Sequence, residues 1–97
     1  METPMMRSLP QSIEAEQSVI GAMIIDKSAI AKVLEKLKEE DFYRDGHKII
    51  YKAIQHMSSQ DMAVDLVTLL EYLKTTDNLE KAGGVTYISE LSASVPT

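Results

Sequence analysis

The residues of this sequence with chemical potential are its carboxylates, two histidines, serines and four glycines, and their spacing limits what each set can do. Glu39-Glu40-Asp41 is the densest acidic run. Clustered carboxylates can hold a divalent cation or serve as general acid and base. This run lacks the glycine and the ligand alternation of a calcium loop, so it reads as a solvated helix end or a patch that meets a basic partner. An enzyme site joining Glu39, Glu40 and Asp41 to a histidine is the rival reading, with no further motif in its favour. His47 and His56 stand nine residues apart, on different sides of one helical run. Zinc needs three or four spaced ligands, and the chain has no cysteine to add, so both histidines read as structural. Gly21, Gly46, Gly83 and Gly84 precede no Gly-Lys-Ser or Gly-Lys-Thr, which excludes a phosphate-cradling loop of that type. No serine sits in a Gly-x-Ser-x-Gly elbow. No catalytic residue, cofactor or metal is expected in this chain.

Composition narrows the classes further. The 97 residues carry 10 basic and 15 acidic side chains, a net charge of −5. That balance opposes contact with a phosphate backbone or an anionic membrane, so direct nucleic-acid binding is not expected. The absence of cysteine fits a reducing compartment, and the chain reads as cytoplasmic. Val19–Ile25 is the longest apolar stretch, far short of the roughly 20 residues that cross a bilayer. A chain of this size supports one core and little more.

The elements that would position these residues are helical. Residues 1–8 read as a flexible lead with the domain beginning at Leu9. Ser12 is a suitable N-cap, Glu14 and Glu16 complement the positive end of a helix, and Ile13, Ile20 and Ile24 share a face, which predicts a helix over 13–25. Gly21 and its small neighbours allow close approach of another backbone, and the second half is apolar nearly all round, as in a central helix. Ile30, Val33, Leu34 and Leu37 predict a helix over 29–38. Phe42, the sole phenylalanine, reads as a core anchor for the following loop. The stripe His47, Ile50, Tyr51, Ile54, Met57 predicts a helix over 46–58, and Asp65 caps one over 66–74. Met23 and Met57 fall on core stripes, which argues against a methionine-lined groove. Leu79-Glu80-Lys81 can form one turn, and Gly83-Gly84 redirects the chain. Val85-Thr86-Tyr87-Ile88 leans to strand by propensity, yet a lone strand has no partner here, so a helix over 85–93 is preferred. The result is an all-α domain of about six short helices.

Several segments in order complete the picture: Leu9-Pro10-Gln11-Ser12-Ile13-Glu14-Ala15-Glu16-Gln17, Asp41-Phe42-Tyr43-Arg44 with His47, Val64-Asp65-Leu66-Val67-Thr68-Leu69, and Gly83-Gly84-Val85-Thr86-Tyr87-Ile88. Over 9–97 this series resembles the N-terminal domain of bacterial DnaB-type replicative DNA helicases. Lys27, Glu39 and Ala63 depart from it, standing where many relatives have proline.

The resemblance implies a helical head from a hexameric 5′ to 3′ helicase, whose helical hairpin and RecA-like motor, with its ATP and magnesium, lie outside this chain. It implies assembly with neighbouring subunits into a collar and docking of the primase C-terminal domain, with a helicase loader as a further partner, in the bacterial replisome. Without the hairpin the chain is expected to be monomeric or weakly self-associating. Tyr87 is the expected partner contact, with Glu80, Lys81 and Glu90 as rim charges; Gly21, Phe42, Asp65, Gly83 and Gly84 match architectural positions. A free-standing adaptor that shares the head and regulates helicase loading is the alternative.

Overall fold

Five α-helices and one short 3-10 turn make up the computed structural model, which describes residues 12–93. They are α1 (Ser12–Ile25), α2 (Lys27–Lys36), the 3-10 turn Glu39–Asp41, α3 (Asp45–Ser59), α4 (Leu66–Thr75) and α5 (Gly84–Ala93). No strand occurs among the described residues. The expected lead over 1–8, the start at Leu9 and the side chain of Ser12 lie outside them.

Helix α1 touches each of the other four helices, as an apolar surface on several sides requires. Its Ile20 and Met23 are fully buried with Ile50, Ile54 and Met57 of α3, Leu69 and Leu73 of α4, and Ile88 of α5. Each such side chain contributes roughly 1.5–3 kcal/mol by leaving water. Phe42 packs in the same core, its ring 5.0 Å from that of Tyr51. Gly21 is buried in α1.

Both ends of α2 lie two residues from the periodicity reading, while the other helix ends agree with it to within one residue. Helix α2 begins at Lys27 rather than 29 because Asp26 accepts the Ser28 N–H at 3.0 Å and the Ser28 hydroxyl at 2.8 Å. Those bonds, the hydroxyl's foremost, hold the Asp26 carboxyl below its ordinary value of 3.8. The helix stops at Lys36 because Leu37 turns extended (φ −120°, ψ 155°), and its carbonyl accepts the Tyr51 hydroxyl at 2.5 Å. Lys27 and Glu39 each occupy a first helical position, the place where a proline's missing N–H costs nothing. Helix α4 starts on a reciprocal cap: Asp65 Oδ1 accepts the Thr68 N–H, and Thr68 Oγ1 accepts the Asp65 N–H, both at 2.9 Å.

The sixth helical piece is a single closed turn. Gly84 N–H bonds the Leu79 carbonyl (2.9 Å) and Gly83 N–H that of Glu80 (3.1 Å), the Schellman pattern, with Gly83 at φ +119°. The same pattern ends α3 and α4, but there the left-handed residue is Asp61 (φ 60°) and Asp77 (φ 62°). Beyond Gly83 the ambiguous Val85–Ile88 segment is helical, with Ile88 and Leu91 buried.

Candidate functional site

Glu16 lies one turn before Ile20 on α1 and is buried with it, only 6% exposed. Its carboxylate meets the chain at the entrance to α3. Oε2 accepts the Tyr43 N–H at 2.5 Å, Oε1 the Arg44 N–H at 3.4 Å, and Oε1 also lies 2.8 Å from Nδ1 of His47. Helix α3 has no side-chain cap of its own at Arg44. A negative group from α1 thus satisfies two amides and stands at the positive end of α3, where helix and charge attract.

His47 is fully buried and continues the chain of bonds: its Nε2 lies 2.6 Å from the Tyr87 hydroxyl. An ionised carboxylate only accepts, so Nδ1 donates to Glu16; in the tautomer with its single proton there, Nε2 accepts from Tyr87. The Tyr87 oxygen in turn accepts from Gln17 Nε2 (3.2 Å) and Arg44 Nη1 (3.4 Å). One donation and two acceptances use every hydrogen-bonding position of a phenol. The relay therefore offers no free nucleophile; it ties α1, the α3 entrance and α5 together.

The Tyr87 ring is held as firmly as its hydroxyl. It stacks on His47 with centroids 5.9 Å apart and planes at 11°, and the Arg44 guanidinium carbon sits 5.7 Å from its centroid. A Cβ on Gly83 would stand 2.5 Å from Tyr87 Cδ2, so a side chain there would expel the ring. Gly46, in the first turn of α3, leaves only 3.2 Å between its Cβ position and the Ala82 carbonyl oxygen, which brings α3 against the 79–83 turn. Around Tyr87 this leaves a shallow cleft of about 310 Å³, flanked by Arg44 and Lys81.

Of the residues singled out by sequence, Tyr87 and Lys81 share this cleft, while Glu80 and Glu90 are exposed and do not line it. Tyr87 is half-buried with its hydroxyl turned to partners within the fold. Glu39 and His56 line a different cleft of about 440 Å³; there Lys52 stands 4.0 Å from Glu39, and His56 stacks on Tyr72 at 5.7 Å. Asp41 instead accepts the Lys38 N–H at 2.8 Å. Among the described residues no three His, Asp or Glu side chains converge as a metal site would need. None of their helices is long and apolar enough to cross a membrane.

Sequence reasoning missed Glu16 and Arg44. Glu16 carried a signal: it falls between Ile13 and Ile20 on the buried stripe, where an acid demands a partner. Arg44 carried none, because its role depends on a tyrosine 43 residues away.

The profile of the family described as DnaB-like helicase N terminal domain matches residues 8–97. The chain is 47% identical over 88 residues to replicative DNA helicase DnaB of Geobacillus stearothermophilus, an alignment covering 91% of this chain and 19% of that protein. It is 44% identical over 88 residues, again 91% and 19%, to replicative DNA helicase DnaC of Bacillus subtilis (strain 168). The crystal structure of the N-terminal domain of DnaB helicase from Mycobacterium tuberculosis superposes with a TM-score of 0.84 at 41% identity, covering 88% of this chain and 62% of that one. The chain thus spans about a fifth of the length of the curated relatives it matches. With the family profile matching residues 8–97 and the solved domain superposing at a TM-score of 0.84, the chain belongs to the DnaB-like helicase N terminal domain family.

Proposed function

We propose that this chain is the non-catalytic head of a replicative DNA helicase, serving ring assembly and the docking of replication partners, the primase C-terminal domain first among them and a helicase loader second. The observation that carries the reading is the family match over 8–97, joined to a site whose polar atoms are spent on holding the fold. In this reading the whole protein unwinds DNA with ATP and magnesium in the bacterial cytoplasm. These residues do not fit that cofactor: the sequence has no glycine-lysine phosphate loop, and the described residues gather no carboxylate cluster for the metal. ATP binding and hydrolysis belong to a motor outside them.

The surface supports docking. Tyr43 is 68% exposed beside the exposed Arg44, and Val85 is 51% exposed on the first turn of α5. Exposed tyrosine and arginine are the residue types that dominate binding energy at protein interfaces. A net charge of −5 favours a protein over a nucleic acid as the ligand. The contact set is Tyr87 with Lys81, and Glu80 and Glu90 at its rim. Calorimetric titration with the cognate primase C-terminal domain, alongside an ATPase assay of the same chain, tests the reading. Binding without hydrolysis is expected. ATP hydrolysis by this chain, or no primase binding even with the following hairpin present, would overturn it.

A further inference from the structure

We infer that the cleft between Arg44 and Lys81 receives a carboxylate side chain from an acidic segment of a partner protein. This rests on the docking reading and adds the chemistry of the ligand. The chain is acidic overall, yet the side chains around this cleft include no carboxylate. Of the acids close by, buried Glu16 is held by the Tyr43 and Arg44 amides and His47, and Asp45 stands 4.0 Å from Lys48. Arg44 and Lys81 are exposed, and among the described residues neither forms an ion pair. Two cations without an ion pair among the described residues, flanking a cleft with no carboxylate among its described lining, form a local positive site on a molecule of net charge −5.

The donors available suit a carboxylate. Arg44 spends Nη1 on the Tyr87 hydroxyl, and that bond with the ring contact fixes the guanidinium at the cleft. Its remaining N–H groups can form the parallel pair of bonds that a planar carboxylate accepts, and Lys81 adds a second charge. Gly46 and Gly83 line the cleft between the two cations, and close packing against Ala82 and Tyr87 fixes their backbone there. The relay through His47 to Glu16 keeps Tyr87 in place, so the site is ordered before the ligand arrives. Elsewhere the acidic surface repels an acidic segment, which restricts its choice of binding place.

The test is an NMR titration of the 97-residue chain with a capped hexaglutamate peptide, with hexaglutamine and inorganic phosphate as parallel probes. Hexaglutamate is expected to shift the amide signals of Arg44, Gly46, Lys81 and Gly83 with an affinity that falls as salt rises. K81E, a change at an exposed side chain with no hydrogen bond or ion pair among the described residues, is expected to weaken this binding by about tenfold or more, with thermal melting confirming the fold. The inference is overturned if the shifts are absent, if they fall on other lysines, or if hexaglutamine produces them equally. Phosphate binding as tightly at the same signals would also overturn it, by reducing the site to a general anion trap. Titrating K81E with the primase domain separates the two readings. Unchanged primase affinity sinks the cleft as a partner site and leaves docking standing, whereas hexaglutamate binding without any primase binding sinks docking instead.

Discussion

The Tyr87 hydroxyl and His47 Nε2 lie 2.6 Å apart across 40 residues of sequence, and the other nitrogen of the same ring is 2.8 Å from Glu16. Three separate segments are thereby fastened by one buried polar chain. Buried polar groups impose a heavy penalty when unpaired, so the chain is stable only as a set.

Glu16→Ala removes the acceptor for two backbone amides and for His47 at once. A loss of about 3–5 kcal/mol is expected, a large part of the stability of a domain this small. Urea denaturation followed by circular dichroism measures it. Glu16→Ala and His47→Ala are expected to be strongly non-additive in a double-mutant cycle; additive losses would show that the two groups act independently.

The adjacent glycines separate strain from space. Gly83→Ala meets both a φ of +119° and the Tyr87 ring at 2.5 Å, whereas Gly84→Ala meets a φ of +86° with nothing within 4 Å. Both are expected to destabilise, Gly84→Ala by about 1–2 kcal/mol from backbone conformation alone and Gly83→Ala by more. Only Gly83→Ala should also move the tyrosine signals of Tyr87 in an NMR spectrum. Equal effects at the two positions would contradict the contact.

Asp61 and Asp77 occupy the left-handed position of two Schellman endings, where glycine carries no Cβ penalty. Neither side chain makes a hydrogen bond or ion pair among the described residues. Asp61→Gly and Asp77→Gly are each expected to stabilise by about 0.5–1 kcal/mol, after subtracting the extra freedom glycine gains when unfolded. Thermal melts of the two variants and their combination check this, with near-additive gains expected because the turns are separate.

What the sequence made legible follows from which forces are local. Periodicity located the five helices, and the capping of α4 by Asp65 was written in a four-residue pattern. The boundaries of α2 were displaced because one depended on the Asp26–Ser28 pair and the other on Tyr51, which is 14 residues beyond Leu37. His47 was readable as a structural member of its stripe, but its partners Glu16 and Tyr87 lie 31 and 40 residues away. Nothing in a single sequence pairs them. The expectation of Tyr87 as a partner contact rests on its ring at the cleft, since its hydroxyl is bonded within the fold.

Burial pushes the Tyr51 hydroxyl above its ordinary value of 10.0, and the Asp41 carboxylate adds to the shift. The folded state then retains a proton that the unfolded chain releases near 10.0. Its contribution is fully present below that value and is lost as pH rises through the higher folded value. Stability is expected to fall on the alkaline side, above about pH 10, and Tyr51→Phe should flatten that fall. At neutral pH the same substitution leaves the Leu37 carbonyl without its donor and should cost about 1 kcal/mol. Urea denaturation of both proteins across pH 7 to 11 distinguishes the two effects.

Tyr87 is where fold and docking meet, and two substitutions separate them. Tyr87→Ala removes the ring beside Arg44 and Lys81, and also strands Nε2 of His47. It is expected to weaken primase binding by about 1–2 kcal/mol, with a measurable loss of stability as well. Tyr87→Phe keeps the ring but removes the hydroxyl from His47, Gln17 and Arg44. It should therefore lower stability by about 1–2 kcal/mol and, by releasing Arg44 from the hydroxyl, weaken binding less than Tyr87→Ala does. Calorimetry with the hairpin-containing protein and the primase C-terminal domain reads the first quantity, and urea denaturation the second. If Tyr87→Ala binds primase as tightly as the unaltered chain, the ring is no contact and its whole role is to anchor α5 to α1 and α3.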